Sequence, residues 1–160
     1  MRLKSAVVRK YRIHRETKVE FDSGLTVIAG PNESGKSTLV EAIHRALFLR
    51  SKAGGEIRDA MASHWGEPPE VELAFEVGAR SVGLRKMFRG ARGECNLAVS
   101  GDVGLSGDAA EQRLAELLKV ADAIEGRGAE GNLSRRWAHL WVWQGNSGKA
   151  PTGEVSEQQD

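Results

Sequence analysis

Cysteine is nearly absent from this chain. Cys95 stands alone, which excludes an internal disulfide and a cysteine-based metal site. Long apolar runs are missing as well. None approaches the ~20 residues that a membrane span requires. The opening Met1-Arg2-Leu3-Lys4-Ser5 lacks the apolar stretch of a secretory signal. Neither sign of charge prevails: the formal net charge is +1, so overall electrostatics select no partner. Basic residues gather in the first third and acidic ones in the last. His44, His64 and His139 are scattered without ligand spacing and read as ordinary surface or core residues. These exclusions leave a protein of a reducing, cytoplasmic setting, without internal repeats. Its 160 residues suffice for one domain with a substantial core.

What is present is one dense motif. Gly30-Pro31-Asn32-Glu33-Ser34-Gly35-Lys36-Ser37-Thr38 fits G-x-x-x-x-G-K-[ST], the Walker A or phosphate-loop pattern. Gly30 and Gly35 let successive backbone N–H groups turn inward toward phosphate oxygens. Lys36 supplies a compact positive charge for the β- and γ-phosphates, Ser37 a hydroxyl for Mg²⁺, and Thr38 a hydroxyl for the α-phosphate. The flanks agree. Leu25-Thr26-Val27-Ile28-Ala29 is short, apolar and rich in β-branched residues, so a buried parallel strand is predicted there. Leu39, Val40, Ile43, Ala46, Leu47 and Leu49 recur at helical spacing, so a helix is predicted to follow, ending near Arg50 with its N-terminus at the phosphates. An ordinary glycine turn leaves Lys36 and Ser37 unexplained.

Around this motif, strands are predicted at Leu3–Val8 and Thr17–Phe21. A Gly- and charge-rich loop is predicted over 51–67, with one helical turn near Asp59–Ala62. After Pro68-Pro69, the run Glu70–Val77 alternates strictly and predicts a strand with one wet face. Ser81–Phe88 and Cys95–Ser100 complete an antiparallel sheet. Arg80, Arg85, Lys86, Arg89 and Arg92 fall between Val77 and Glu94 with no acid among them. They read either as a solvated hairpin with charged edges or as a contact for nucleic-acid phosphates. Asp108–Val120 reads as a helix with Ala109, Leu114, Leu117 and Leu118 on one side and Ser106 as its N-cap. His139–Gly145 reads as a buried strand, with Trp141 and Trp143 as core residues.

These residues resemble a family. Tyr11-Arg12-Ile13-His14, Val19-Glu20-Phe21 and the run from Gly24 to Thr38 resemble the N-terminal ATPase lobe of SMC-like proteins, nearest to SbcC-type double-strand-break repair ATPases and bacterial AAA-type relatives. Trp141-Val142-Trp143-Gln144-Gly145 resembles that family's Q-loop. The likeness covers roughly 1–50 and 133–148 and leaves the middle unanchored. It implies an α/β P-loop NTPase fold: an ABC-ATPase-like N-terminal lobe with an antiparallel β subsheet plus a parallel P-loop core. The lobe is expected over 1–148 and a polar connector toward a coiled coil over 149–160.

The resemblance also implies roles. Lys36 holds the β- and γ-phosphates of ATP, Ser37 ligates Mg²⁺, and Gly30, Ser34, Gly35 and Thr38 complete the cradle. Gln144 contacts Mg²⁺ or the attacking water. Arg12 sits near the phosphates, and Asn32 lies nearest a partner head. Glu33 departs from the family's usual glycine and reads as solvent-facing. The implied partners are the protein's own C-terminal lobe, a second head in a homodimer, DNA and a nuclease subunit, with no membrane and a nucleoid location when DNA-bound.

Missing motifs sharpen the reading. No run of four apolar residues ends in Asp-Glu, so no Walker B strand is expected. Leu105-Ser106-Gly107-Asp108 mimics a signature motif, but it precedes the Q-loop and places an acid where a γ-phosphate would lie, so it reads as a helix cap. Gly145–Lys149 copies the tail of a phosphate loop without its first glycine and reads as a connector. The expected function is the ATP-binding half of a DNA-repair or chromosome-maintenance ATPase head, nearly inactive in hydrolysis by itself. The alternatives are a stand-alone P-loop nucleotide-binding protein or kinase, and a non-catalytic DNA-binding module. A GTPase is disfavoured, because no Asn-Lys-x-Asp is present for guanine.

Overall fold

The computed structural model of the chain describes residues 1–120. Strands β1 (Arg2–Tyr11) and β2 (His14–Glu20) form a hairpin, and helices α1 (Lys36–Phe48) and α2 (Gly55–Met61) follow. Then come β3 (Glu70–Val77), β4 (Arg80–Met87), a single 3-10 turn at Gly90–Arg92, β5 (Glu94–Val99), β6 (Leu105–Ser106) and helix α3 (Gly107–Leu117). The six strands make one sheet in the order β2-β1-β3-β4-β5-β6. Every pairing in it is antiparallel.

Period-two alternation builds this sheet. Val71, Leu73 and Phe75 of β3, Val82 and Leu84 of β4, and Cys95, Leu97 and Val99 of β5 are buried on one face. The register sets Ala6, Leu73, Leu84 and Leu97 in one row across four strands. A slip of one residue would turn each strand's apolar set to water. For β3 alone that exposes three side chains worth about 1.5–3 kcal/mol each, comparable to the stability of a whole domain. Helix α1 covers β1 and β3, and α3 covers β5 and β6. Leu39, Ile43, Ala46 and Leu47 of α1, and Ala110, Leu114 and Leu118 of α3, enter the shared core.

The other face is wet and charged. Arg9 donates to Glu16, Glu70 and Glu72 at 3.1, 2.9 and 2.8 Å. Arg85 pairs with Glu70 at 2.8 Å, and Glu76 takes both Arg2 and Lys4. Cross-strand pairs of opposite sign thus line the solvent side.

A buried polar knot ties the layers together. Lys86 alternates in phase with Val82 and Leu84, so it points into the core and is fully buried. Its ammonium lies 2.6 Å from Glu111 of α3 and donates to the Leu49 carbonyl at 2.8 Å. Glu111 in turn accepts from the Ser51 N–H at 2.7 Å. The exit of α1, the end of β4 and the inner face of α3 therefore meet at one ion pair. Gly93 closes the same region: a Cβ there would lie 1.9 Å from the Ser51 carbonyl oxygen.

Several expectations are corrected. Leu25–Ala29 is not a strand. Leu25 and Val27 are 84% and 74% exposed, although Ile28 packs partly on the core. A parallel strand draws its hydrogen bonds from neighbours at its side, and among the described residues no strand pairs with this segment. Accordingly, no parallel pairing occurs among them. Helix α2 replaces the single turn expected near Asp59–Ala62. On α3 the buried face is Ala110, Glu111, Leu114 and Ala115, not one containing Ala109, which is exposed. Ser106 occupies the N-cap of α3, but its side chain makes no capping hydrogen bond. Lys86 is core, so it does not belong to a surface basic cluster. The expected strand at His139–Gly145, the connector at 149–160 and the domain boundary at 148 lie outside the described residues.

Candidate nucleotide-binding site

The phosphate loop owes its shape to the residue at its end. Gly35 caps α1 with φ 87° and ψ 13°, a left-handed conformation that disfavours any side chain. Space forbids one as well: a Cβ there would come within 2.7 Å of His14 Nε2 and of Ile13 Cδ1. The turn of the β1–β2 hairpin is thus seated against the loop. His14 Nε2 lies 3.0 Å from the Gly35 carbonyl, and Nδ1 lies 2.9 Å from Thr17 Oγ1. A carbonyl only accepts, so Nε2 carries the proton and, in the neutral ring, the Thr17 hydroxyl donates to Nδ1. The same Gly35 carbonyl accepts the first helical bond from the Leu39 N–H at 2.8 Å. Both of its lone pairs are used, which fixes the peptide from which α1 springs.

Lys36 opens the helix. Its Nζ donates to the carbonyls of Gly30 and Pro31 at 2.8 and 2.6 Å, so the ammonium folds back over the loop. No acid stands in the first turn of this 13-residue helix, leaving the positive end of the helix dipole unopposed by a local carboxylate. Pro31, Asn32, Glu33, Ser34 and Ser37 are exposed and Thr38 is half-buried. Glu33 adopts φ 64° at the loop tip. A Cβ on Gly30 would meet Ser34 Oγ at 3.1 Å, so the loop's inner wall has room for backbone and little else. An exposed glycine loop, a helix N-terminus and a lysine whose ammonium lies over the loop suit a polyphosphate. Ser37 brings a hydroxyl, the donor type that Mg²⁺ takes alongside phosphate oxygens. Among the described residues no group of three His, Cys, Asp or Glu side chains forms a metal site of its own.

Arg12 is brought to the flank of the P-loop helix. Its Nε donates to the Ala60 carbonyl at 2.7 Å, and its other nitrogens meet the two Glu41 oxygens at 3.0 and 3.2 Å. Glu41 also receives Arg45 at 2.5 Å and the Tyr11 hydroxyl at 3.3 Å. Burial pushes the Tyr11 phenol up, so it stays protonated and donates. Arg45 reaches on to the Ile57 carbonyl at 3.2 Å. Glu41 thus gathers two arginines and a phenol between the hairpin turn, α1 and α2. Gln144 lies outside the described residues, as do Trp137, Trp141 and Trp143. The structure brings together Gly30, Gly35 and Lys36 at one helix start, with Asn32, Glu33, Ser34, Ser37 and Thr38 on the same loop and first turn, and it places Arg12 further along the helix, on Glu41.

Sequence reasoning missed His14 and Glu41 as parts of this site. The signal for His14 was its place two residues after Arg12, in the turn between two predicted strands. Glu41 recurs five positions after Lys36 with Arg45 four further on, a spacing that suits an i,i+4 ion pair.

A glycine loop running into a helix headed by lysine, set against the sheet, marks a protein of P-loop NTPase fold. The comparisons agree. The chain belongs to the AAA domain family, which it matches over residues 7–124. It is 31% identical over 124 residues to the DNA replication and repair protein RecF of Magnetococcus marinus, covering 78% of this chain and 32% of that protein. It is 30% identical over 126 residues to the DNA double-strand break repair Rad50 ATPase of Methanococcus maripaludis, covering 78% of this chain and 12% of that protein. The chain therefore spans a third or less of these relatives' lengths. Among solved structures, one described as "Structural biochemistry of ATP-driven dimerization and DNA stimulated activation of SMC ATPases" matches with a TM-score of 0.55 and 16% identity. It covers 90% of this chain and 93% of that one. The fold is that of the SMC-type P-loop ATPase head, as the sequence led one to expect. Among the described residues no helix is long and apolar enough to cross a membrane.

Proposed function

We propose that this chain is the ATP-binding part of a DNA-repair or chromosome-maintenance ATPase head of the SMC, Rad50 and RecF kind. The observation that carries the reading is the geometry of Gly35 and Lys36. A left-handed cap and an ammonium resting on two loop carbonyls leave the helix N-terminus open to phosphate. Gly30, Ser34, Gly35 and Thr38 would cradle ATP, Lys36 would exchange its carbonyl partners for β- and γ-oxygens, and Ser37 would hold Mg²⁺. The metal would neutralise phosphate charge. Arg12, released from Glu41, would face the phosphates, and Gln144 would close over the metal.

Hydrolysis needs a carboxylate to orient water, and no Walker B strand stands in this sequence. We therefore assign hydrolysis to a C-terminal lobe and to a second head that meets Asn32. The exposed Leu25 and Val27 support that assignment, because an apolar, β-branched segment without a ladder partner suits a neighbouring strand from another lobe. DNA is the proposed substrate surface of the assembled head, with a nuclease subunit as a further partner. Burial of Lys86 weighs against a DNA-binding hairpin that uses Arg85, Lys86 and Arg89 together.

Calorimetric titration of Mg-ATP into the full chain tests the reading. Wild type should bind, Lys36→Ala should lose affinity at least tenfold, and neither should release phosphate at a measurable rate. Equal ATP affinity in the two proteins refutes it.

A further inference from the structure

A second cationic cleft lies away from the phosphate loop. It has a volume of ≈ 460 Å³ and is lined by Arg58, Ser63, Pro69, Phe88, Arg89 and Arg92, among others. Two features distinguish it from the outer face of the sheet. The arginines of the outer sheet face are consumed by carboxylates. Arg89 and Arg92, by contrast, have no side-chain hydrogen bond or ion pair among the described residues. Arg58 leans over the Gly90 turn, where a Cβ would meet its Nη1 at 3.6 Å, and pairs with Asp59 at 2.7 Å. The carboxylate at the rim, Glu67, is engaged by Lys10 at 2.6 Å. Positive charge therefore exceeds negative inside the cleft.

The second feature is an orphan. The Ser63 hydroxyl is buried and has no hydrogen-bond partner. A hydroxyl left so costs about 1–3 kcal/mol, and a phosphate oxygen would accept its hydrogen bond. The same loop carries Trp65, 42% exposed, between lining residues Ser63 and Gly66. Guanidinium forks suit phosphate, and an exposed indole suits a base face.

We propose that this cleft binds single-stranded nucleic acid, with one backbone phosphate among Arg58, Arg89, Arg92 and the Ser63 hydroxyl, and a neighbouring base stacked on Trp65. The inference rests on the reading above only in choosing nucleic acid over another polyanion. The contact residues differ from those suggested by charge along the sequence: Arg89 and Arg92 carry it, and Lys86 has no part.

Fluorescence anisotropy of the full chain with a labelled oligothymidylate of about 15 nucleotides tests it. Arg89→Glu/Arg92→Glu should weaken binding at least tenfold and lower the slope of log affinity against log salt by about 1. Trp65→Ala should weaken binding about tenfold. Lys36→Ala should leave the oligonucleotide affinity intact while losing ATP, which separates failure of this site from failure of the nucleotide site. Arg89→Gln/Arg92→Gln serves where the double Glu variant loses its fold by circular dichroism. Three results overturn the proposal: unchanged affinity in the arginine variants, equal binding of duplex with no effect of Trp65→Ala, or displacement of the oligonucleotide by an equal concentration of inorganic phosphate.

Discussion

Removing one half of the Lys86–Glu111 pair should cost more than removing both. The ammonium is fully buried and the carboxylate is 6% exposed, at 2.6 Å. Lys86→Met strands the carboxylate in the core with the Ser51 N–H and the weakly donating Cys95 thiol for company. Glu111→Gln keeps a carbonyl for Ser51 but strands the ammonium beside the Leu49 carbonyl. Each single change breaks a buried pair and should destabilise by about 3–5 kcal/mol, a large share of a typical domain's 5–15 kcal/mol or so. The double variant Lys86→Met/Glu111→Gln carries no buried charge and retains an acceptor for Ser51. It loses chiefly the bond to the Leu49 carbonyl, worth about 1 kcal/mol. It should therefore be more stable than either single variant, by about 2 kcal/mol or more. Urea unfolding followed by far-UV circular dichroism reads this as the midpoint at constant m-value. If the double variant loses as much as the two singles summed, the pair is not coupled as the geometry demands.

Other consequences can be measured on the same protein. Burial pushes the Cys95 thiol up to about 12, so a thiol reagent at pH 8 should leave native protein unmodified and label it only after unfolding. Burial tends to raise the Glu70 carboxyl, but hydrogen bonding and charge from Arg85, with Arg9 and Glu72 assisting, hold it below the usual carboxylate range. A depressed folded value means stability that is present above the unfolded carboxylate's titration and lost as pH falls through the folded one. Glu70→Gln should therefore lower stability at neutral pH by under about 1 kcal/mol and flatten the decline on acidification, read as melting temperature against pH. An unchanged acid limb would show that Arg85 and Glu70 do not communicate.

Much of the fold was legible because alternation is a strong signal when one face is wet. Glu70–Val77 was bounded correctly by its pattern and by Pro68-Pro69. The phosphate loop and α1 were legible because glycine, lysine and a helical apolar stripe occur in the only order that makes a cradle. Leu25–Ala29 was misread because a short apolar run says that burial is sought, not that a partner strand lies within the described residues. Helix α2 was foreseen only as one turn because Gly54-Gly55 and neighbouring charges look like loop, whereas Arg12 and Arg45 hold its carbonyls from outside. Lys86 was taken for surface because arginines surround it in the chain. Its phase with Val82 and Leu84 carried the contrary message, and Glu111, in phase with Leu114 and Leu118, was its answering half.

Residue 93 has a consequence for anyone altering this protein. Contact there is main chain against main chain, with the Ser51 carbonyl oxygen 1.9 Å from where a methyl would begin. No neighbouring side chain can be trimmed to make way, and no smaller amino acid exists. A saturation scan should find this partly solvent-accessible spot as intolerant as any deep apolar position, because alanine itself is already too large.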